Sequence, residues 1–143
     1  MKTRFTLALG AIAFSALVAC QTSPSTSGEH YFTANVKPIL EQHCLRCHTG
    51  AHPPAGLNLT TRDSAMASRH RLGKTFIAPG QPDASLLLTA ISRNGSHPQM
   101  MPRATLSLTD DQIGTLREWI EDGATWPTGE AGRLHHVSTS ENR

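Results

Sequence analysis

The sequence predicts a small all-α domain of three to five short helices joined by long loops. Three observations predict it. Apolar residues recur at helical spacing in several segments, and no run shows the length and alternation of a strand. The 11 glycines and 9 prolines fall largely between those segments, where they punctuate the chain as turns. The first helical segment leads straight into Cys44-Leu45-Arg46-Cys47-His48, so a helix end delivers a cluster of reactive side chains. At 143 residues the chain holds one domain with a little to spare at its ends.

Residues 1–19 do not belong to that domain. "MKTR" carries two positive charges, and "FTLALGAIAFSALVA" follows without any, the n-region and h-region of a secretory signal. The apolar run, about 15 residues, falls short of the roughly 20 that cross a bilayer as a helix. The signal ends in Leu17-Val18-Ala19-Cys20, which resembles the lipobox of bacterial lipoproteins. That resemblance implies lipidation at Cys20 and a membrane anchor. Gln21 stands where Asp would resemble an inner-membrane retention signal, so the outer membrane is favoured. Residues 20–30, with "QTSPSTSG", read as a flexible tether. Without Lys2 and Arg4 the 13 basic residues become 11, against 11 acidic ones. That balance gives no support to nucleic-acid binding.

Residues 31–43 read as a helix with Phe32, Val36, Ile39 and Leu40 on one face. Thr33 or Asn35 is placed to cap it, and Pro38 is compatible only with a first turn. After the cysteine motif, Pro53, Pro54 and Gly56 predict a loop, and Leu57 and Leu59 alternate inward. Thr60 with Asp63 predicts a capping box for a helix over 61–67. "SRHRLGKTF" is basic and reads as an exposed loop. Pro79-Gly80 and Pro82 mark a turn before a helix over 83–91, with Leu86, Leu87 and Ile91 inward. The last helix carries the strongest signals. Thr109 and Gln112 form a T-x-x-Q capping box, and Asp110 and Asp111 suit the positive end of the helix dipole. Ile113, Leu116, Trp119 and Ile120 make its inner face, and Gly123 stops it. The domain is expected over 31–127, with a polar tail over 128–143.

Cys44-x-x-Cys47-His48 admits three chemistries. A redox dithiol requires a βαβ setting that the chain lacks. A zinc site requires four ligands, and with Cys20 lipidated no further cysteine remains. Covalent attachment of a c-type haem satisfies the spacing. Two thiols one helical turn apart reach two vinyl groups, and His48 follows as proximal iron ligand. A second axial ligand is expected in "GSHPQMMPRATLSLTDDQ", and Met101, beside Pro102, is the choice over Met100 and His97. His52, His70, His135 and His136 read as surface residues.

The segments "VKPILEQHCLRCH", "GLNLTTRDSAM", "PGQPDASLLLTAI" and "MMPRATLSLTDDQIGTLREWIEDGATWP" are similar, in that order, to a monohaem class I cytochrome c, most of all the planctomycete-type cytochrome c domain. The resemblance implies one covalent haem c at Cys44 and Cys47, with His48 and Met101 on the iron. It also implies first and last helices crossing beside the haem, with Trp119 in the contact. Arg103 replaces the second proline of the family's Met-Pro-Pro, and "SRHRLGKTF" stands where the family has Gly-Gly. The expected function is electron transfer between redox partner proteins, facing the periplasm and without substrate turnover, by a monomer. The alternative is a gas sensor or catalytic haem protein with an open sixth iron position.

Overall fold

The structure, a computed structural model, describes residues 26–92 and 108–137. The elements are α1 (Thr26–Tyr31), a π-helical turn (Phe32–Val36), α2 (Lys37–His43), a 3-10 turn (Pro54–Gly56), α3 (Arg62–Ala67), a 3-10 turn (Pro82–Ala84), α4 (Leu86–Ile91), α5 (Asp110–Glu121) and α6 (Gly129–Gly132). Because α1 continues through the π turn into α2, the helical bodies number five among the described residues. An isolated bridge between Arg69 and Thr75 is the β-structure found among them. The all-α expectation is met.

Pro38 accounts for the π turn. In an unbroken α-helix its ring would strike the carbonyl four residues back, and it has no N–H to give. Here the Lys37 N–H reaches five residues back to the Phe32 carbonyl, widening the turn so that Pro38 falls in the first turn of α2. Phe32, Val36, Ile39 and Leu40 are all buried. Thr33 and Asn35 do not cap the helix. Their side chains donate to carbonyls inside it, Thr33 to Glu29 and His30, Asn35 to Tyr31. The helix begins earlier, within the expected tether, because tertiary contact holds it: Gly28 lies against the Thr125 side chain.

α5 follows its expectation. Thr109 Oγ1 accepts from the Gln112 amide while Gln112 Oε1 accepts from the Thr109 amide. Leu116, Trp119 and Ile120 are buried. Past the helix, Gly123 takes φ +95° and Ala124 φ +52°, and the Ala124 amide donates to the Trp119 carbonyl. α5 crosses the π turn, where Phe32, Trp119 and Trp126 pack as tilted and edge-on rings with centroids 4.6 to 5.8 Å apart.

Three further expectations need correction. The cap of α3 is Thr61 with Ser64, not Thr60 with Asp63, because the Ser64 hydroxyl, unlike the exposed Asp63, serves the Thr61 amide. In α4 the inner face is Leu87, Leu88 and Ile91, with Leu86 half-buried, because the 3-10 turn at Pro82–Ala84 delays the α-helix to Leu86. Residues 128–134, expected in the polar tail, form a folded strap. Trp126 Nε1 donates to the Gly132 carbonyl, the Leu134 amide to Thr60, and the His135 amide to Glu41. Leu134 is buried, and Lys37 Nζ donates to the Ala131 carbonyl.

Tyr31 carries a pH signature. Partial burial, reinforced by its 2.7 Å hydrogen bond to the Glu118 carboxylate, pushes its pKa up to about 12. The unfolded chain releases that proton near 10. The contribution is therefore fully present below pH 10 and lost between pH 10 and 12. Tyr31→Phe is expected to flatten the fall of Tm over that window, as followed by circular dichroism.

Candidate haem-attachment site

α2 delivers the cysteines. Its last turn continues as the Cys44 and Leu45 amides donate to the Leu40 carbonyl at 3.0 and 2.9 Å. One more turn closes when the Cys47 and His48 amides donate to Cys44 at 3.2 and 3.0 Å. Cys44 and Cys47 thus sit one helical turn apart, both with free thiols. Their environments differ. Cys44 is buried in the core, and burial pushes its thiol up to about 12, whereas Cys47 is exposed.

His48 is held from two sides by the loop that follows. Its Nδ1 lies 3.2 Å from the Leu57 carbonyl, and its own carbonyl accepts from the Leu59 amide at 2.8 Å. A carbonyl only accepts, so Nδ1 carries the proton and the Nε2 lone pair is free for a metal. Burial holds the imidazole below its ordinary pKa, against the opposing pull of the Leu57 carbonyl. A neutral ring with an anchored Nδ1–H is the form in which histidine ligates a metal.

Asn58 stands between the two residues that hold His48. Its Nδ2 donates to the Gly50 carbonyl at 3.0 Å, and its Oδ1 accepts from the Thr60 amide at 2.9 Å. Its amide donates to Ser68 Oγ at 3.0 Å, and that buried hydroxyl, just past the end of α3, donates to the Ser64 carbonyl. Sequence reasoning missed this support, since a backbone carbonyl such as that of Leu57 leaves no mark in a sequence.

Met101, Met100, His97 and Cys20 lie outside the described residues. His52 and His136 are exposed, and His135 pairs with Glu130 at 3.1 Å. His70 meets Phe76 edge-on. Among the described residues no group of three His, Cys, Asp or Glu side chains is placed to hold a metal ion, which leaves the zinc reading without ligands there. A haem c fits what is present: two free thiols one turn apart and a neutral histidine beside them with a free Nε2.

Helices without sheet among the described residues, and a Cys-x-x-Cys-His turn set at the end of one of them, are consistent with a small all-α cytochrome c-like fold. Residues 44–104 are similar to the family described as Planctomycete cytochrome C. No match to the chain was found among curated proteins or among solved structures. No helix among the described residues is long and apolar enough to cross a membrane.

Proposed function

We propose that this protein is a monohaem electron carrier of the cell envelope. Cys44 and Cys47 would attach one haem c, with His48 and Met101 as the residues that would hold its iron. The haem supplies an iron that gains and loses a single electron. The chain's own residues keep that change small: the Leu57 carbonyl fixes the imidazole by its Nδ1–H, and the packed core holds Cys44. The observation that carries the reading is this Nδ1–H bond, which leaves Nε2 as the free nitrogen one residue after a pair of unpaired thiols. The family match over 44–104 supports it. Lipidation at Cys20 anchors the carrier to the bacterial membrane, facing the periplasm, where its redox partners are proteins.

The test is an absorption spectrum of the exported protein, oxidised and reduced, with denaturing extraction of the haem. Expected are a haem that resists extraction, a charge-transfer band of methionine-sulfur ligation in the ferric form, and no carbon monoxide binding in the ferrous form. A haem that binds carbon monoxide would replace the carrier with a sensor or catalyst. A colourless protein after haem maturation would overturn the haem reading itself.

A further inference from the structure

We propose that Asn58 is a positioning residue for His48, setting the strength of the hydrogen bond between the histidine Nδ1–H and the Leu57 carbonyl. The inference rests on the haem reading above. Leu57 and Leu59 both bond His48, one at the ring and one at the backbone, so the segment 57–59 is the cradle of this histidine. Asn58, between them, clamps the segment in place. Its amide group spans the loop, donating to Gly50 two residues past His48 and accepting from Thr60. Its backbone amide ties the cradle to α3 through Ser68, whose hydroxyl is one of two buried polar side chains among the described residues. The Leu134 amide holds the Thr60 carbonyl, and Thr49 Oγ1 meets Thr60 Oγ1 at 3.1 Å, so the clamp is braced from both sides.

The consequence for chemistry follows from the role of such outer hydrogen bonds. A firm Nδ1–H···O=C bond raises the donor strength of Nε2 and favours the more highly charged ferric state. Loosening Leu57 weakens the bond, makes His48 a poorer donor and raises the reduction potential. The loss of one hydrogen bond of ordinary net strength corresponds to about a tenfold change in an equilibrium. For a one-electron couple, tenfold corresponds to about 59 mV as the upper end of the shift.

The experiment compares haem-loaded wild type with Asn58→Ala, Ser68→Ala and Ser85→Ala. Ser85 is the other buried polar residue, and it bonds Ala78 and Gln81 rather than the 57–60 loop. Two quantities are read: solvent exchange of the His48 Nδ1 proton by NMR, and the reduction potential. Asn58→Ala is expected to exchange that proton about tenfold faster and to raise the potential. Ser68→Ala is expected to act in the same direction and less strongly, and it decides the matter if Asn58→Ala does not fold. Ser85→Ala is expected to lower Tm while leaving both quantities unchanged. The role is overturned if both loop variants match wild type, or if Ser85→Ala moves the two readouts equally. If wild type carries no covalent haem, the haem reading fails first and this inference falls with it, an outcome visible before any variant is compared.

Discussion

Replacing Cys44 and Cys47 together with alanine will leave a chain from which every trace of haem is removed by acidic organic solvent. The wild-type pigment will stay with the protein under the same treatment. The expectation follows from thioether chemistry: each free thiol can form one carbon–sulfur bond, and without either bond the haem is held by coordination alone. The single variants should not behave alike. Cys44 is 8% exposed and belongs to the core cluster with Leu40, Leu45 and Leu57. Cys44→Ala therefore removes buried sulfur as well as a linkage, and should lower Tm more than Cys47→Ala, whose side chain is at the surface. Mass spectrometry of the extracted chains, beside a thermal melt of each, checks both parts. Covalent pigment on the double variant would show that the attachment point lies elsewhere.

The second large effect concerns the crossing of α5 over the π turn of the first helical body. Trp119→Ala is expected to cost about 3–5 kcal/mol, the usual range for removing a large aromatic from a packed core. Domains of this kind are stable by about 5–15 kcal/mol in all, so the variant stands near its unfolding threshold at room temperature. Trp119 is 2% exposed, packs tilted against Phe32 at 5.7 Å and edge-on to Trp126 at 5.8 Å, and donates from Nε1 to the Thr125 carbonyl at 2.8 Å. Truncation opens a cavity between two aromatic rings and strands that carbonyl. Trp119→Phe keeps most of the packing and loses a part-buried hydrogen bond, so it should cost about 0.5–1.5 kcal/mol, the net range for one hydrogen bond. Denaturant titration separates the cases: both midpoints fall, Trp119→Ala further, with slopes unchanged. Equal midpoints for the two variants would mean that the ring packing contributes little.

What the sequence reveals here divides by distance along the chain. The capping box at Thr109 and Gln112 was legible because its partners stand three residues apart and the amphipathic face follows at once. The buried face of Phe32, Val36, Ile39 and Leu40 was legible for the same reason. At α3 the cap stands one residue later than the pattern suggests, since Thr60-Thr61 offers two caps and the choice of Thr61 depends on the reach of the Ser64 hydroxyl. Leu88 replaced Leu86 on the inner face of α4 because a 3-10 turn shifts the phase of the helix that follows. The strap over 128–134 was not legible. Its composition is that of a tail, and its anchors at Thr60, Glu41 and Lys37 lie more than 70 residues back in the chain. The site shows the same division. Cys44, Cys47 and His48 announce themselves through local spacing, whereas the Leu57 carbonyl, Asn58 and Ser68 become visible only through the loop's path.

The strap also imposes an order on assembly. During synthesis the chain emerges from its N-terminal end, so the cysteine turn and the 57–60 loop exist long before their last partners. The amides of Leu134 and His135 close on Thr60 and Glu41 across sequence separations of 74 and 94 residues, counted as 134 minus 60 and 135 minus 41. Contacts of such long range carry a high loop-closure cost and form late. Until they form, the cradle of His48 lacks its outer brace, and the cysteines stand on a segment that has not yet been locked. The cradle of His48 therefore gains its outer brace only when the strap closes.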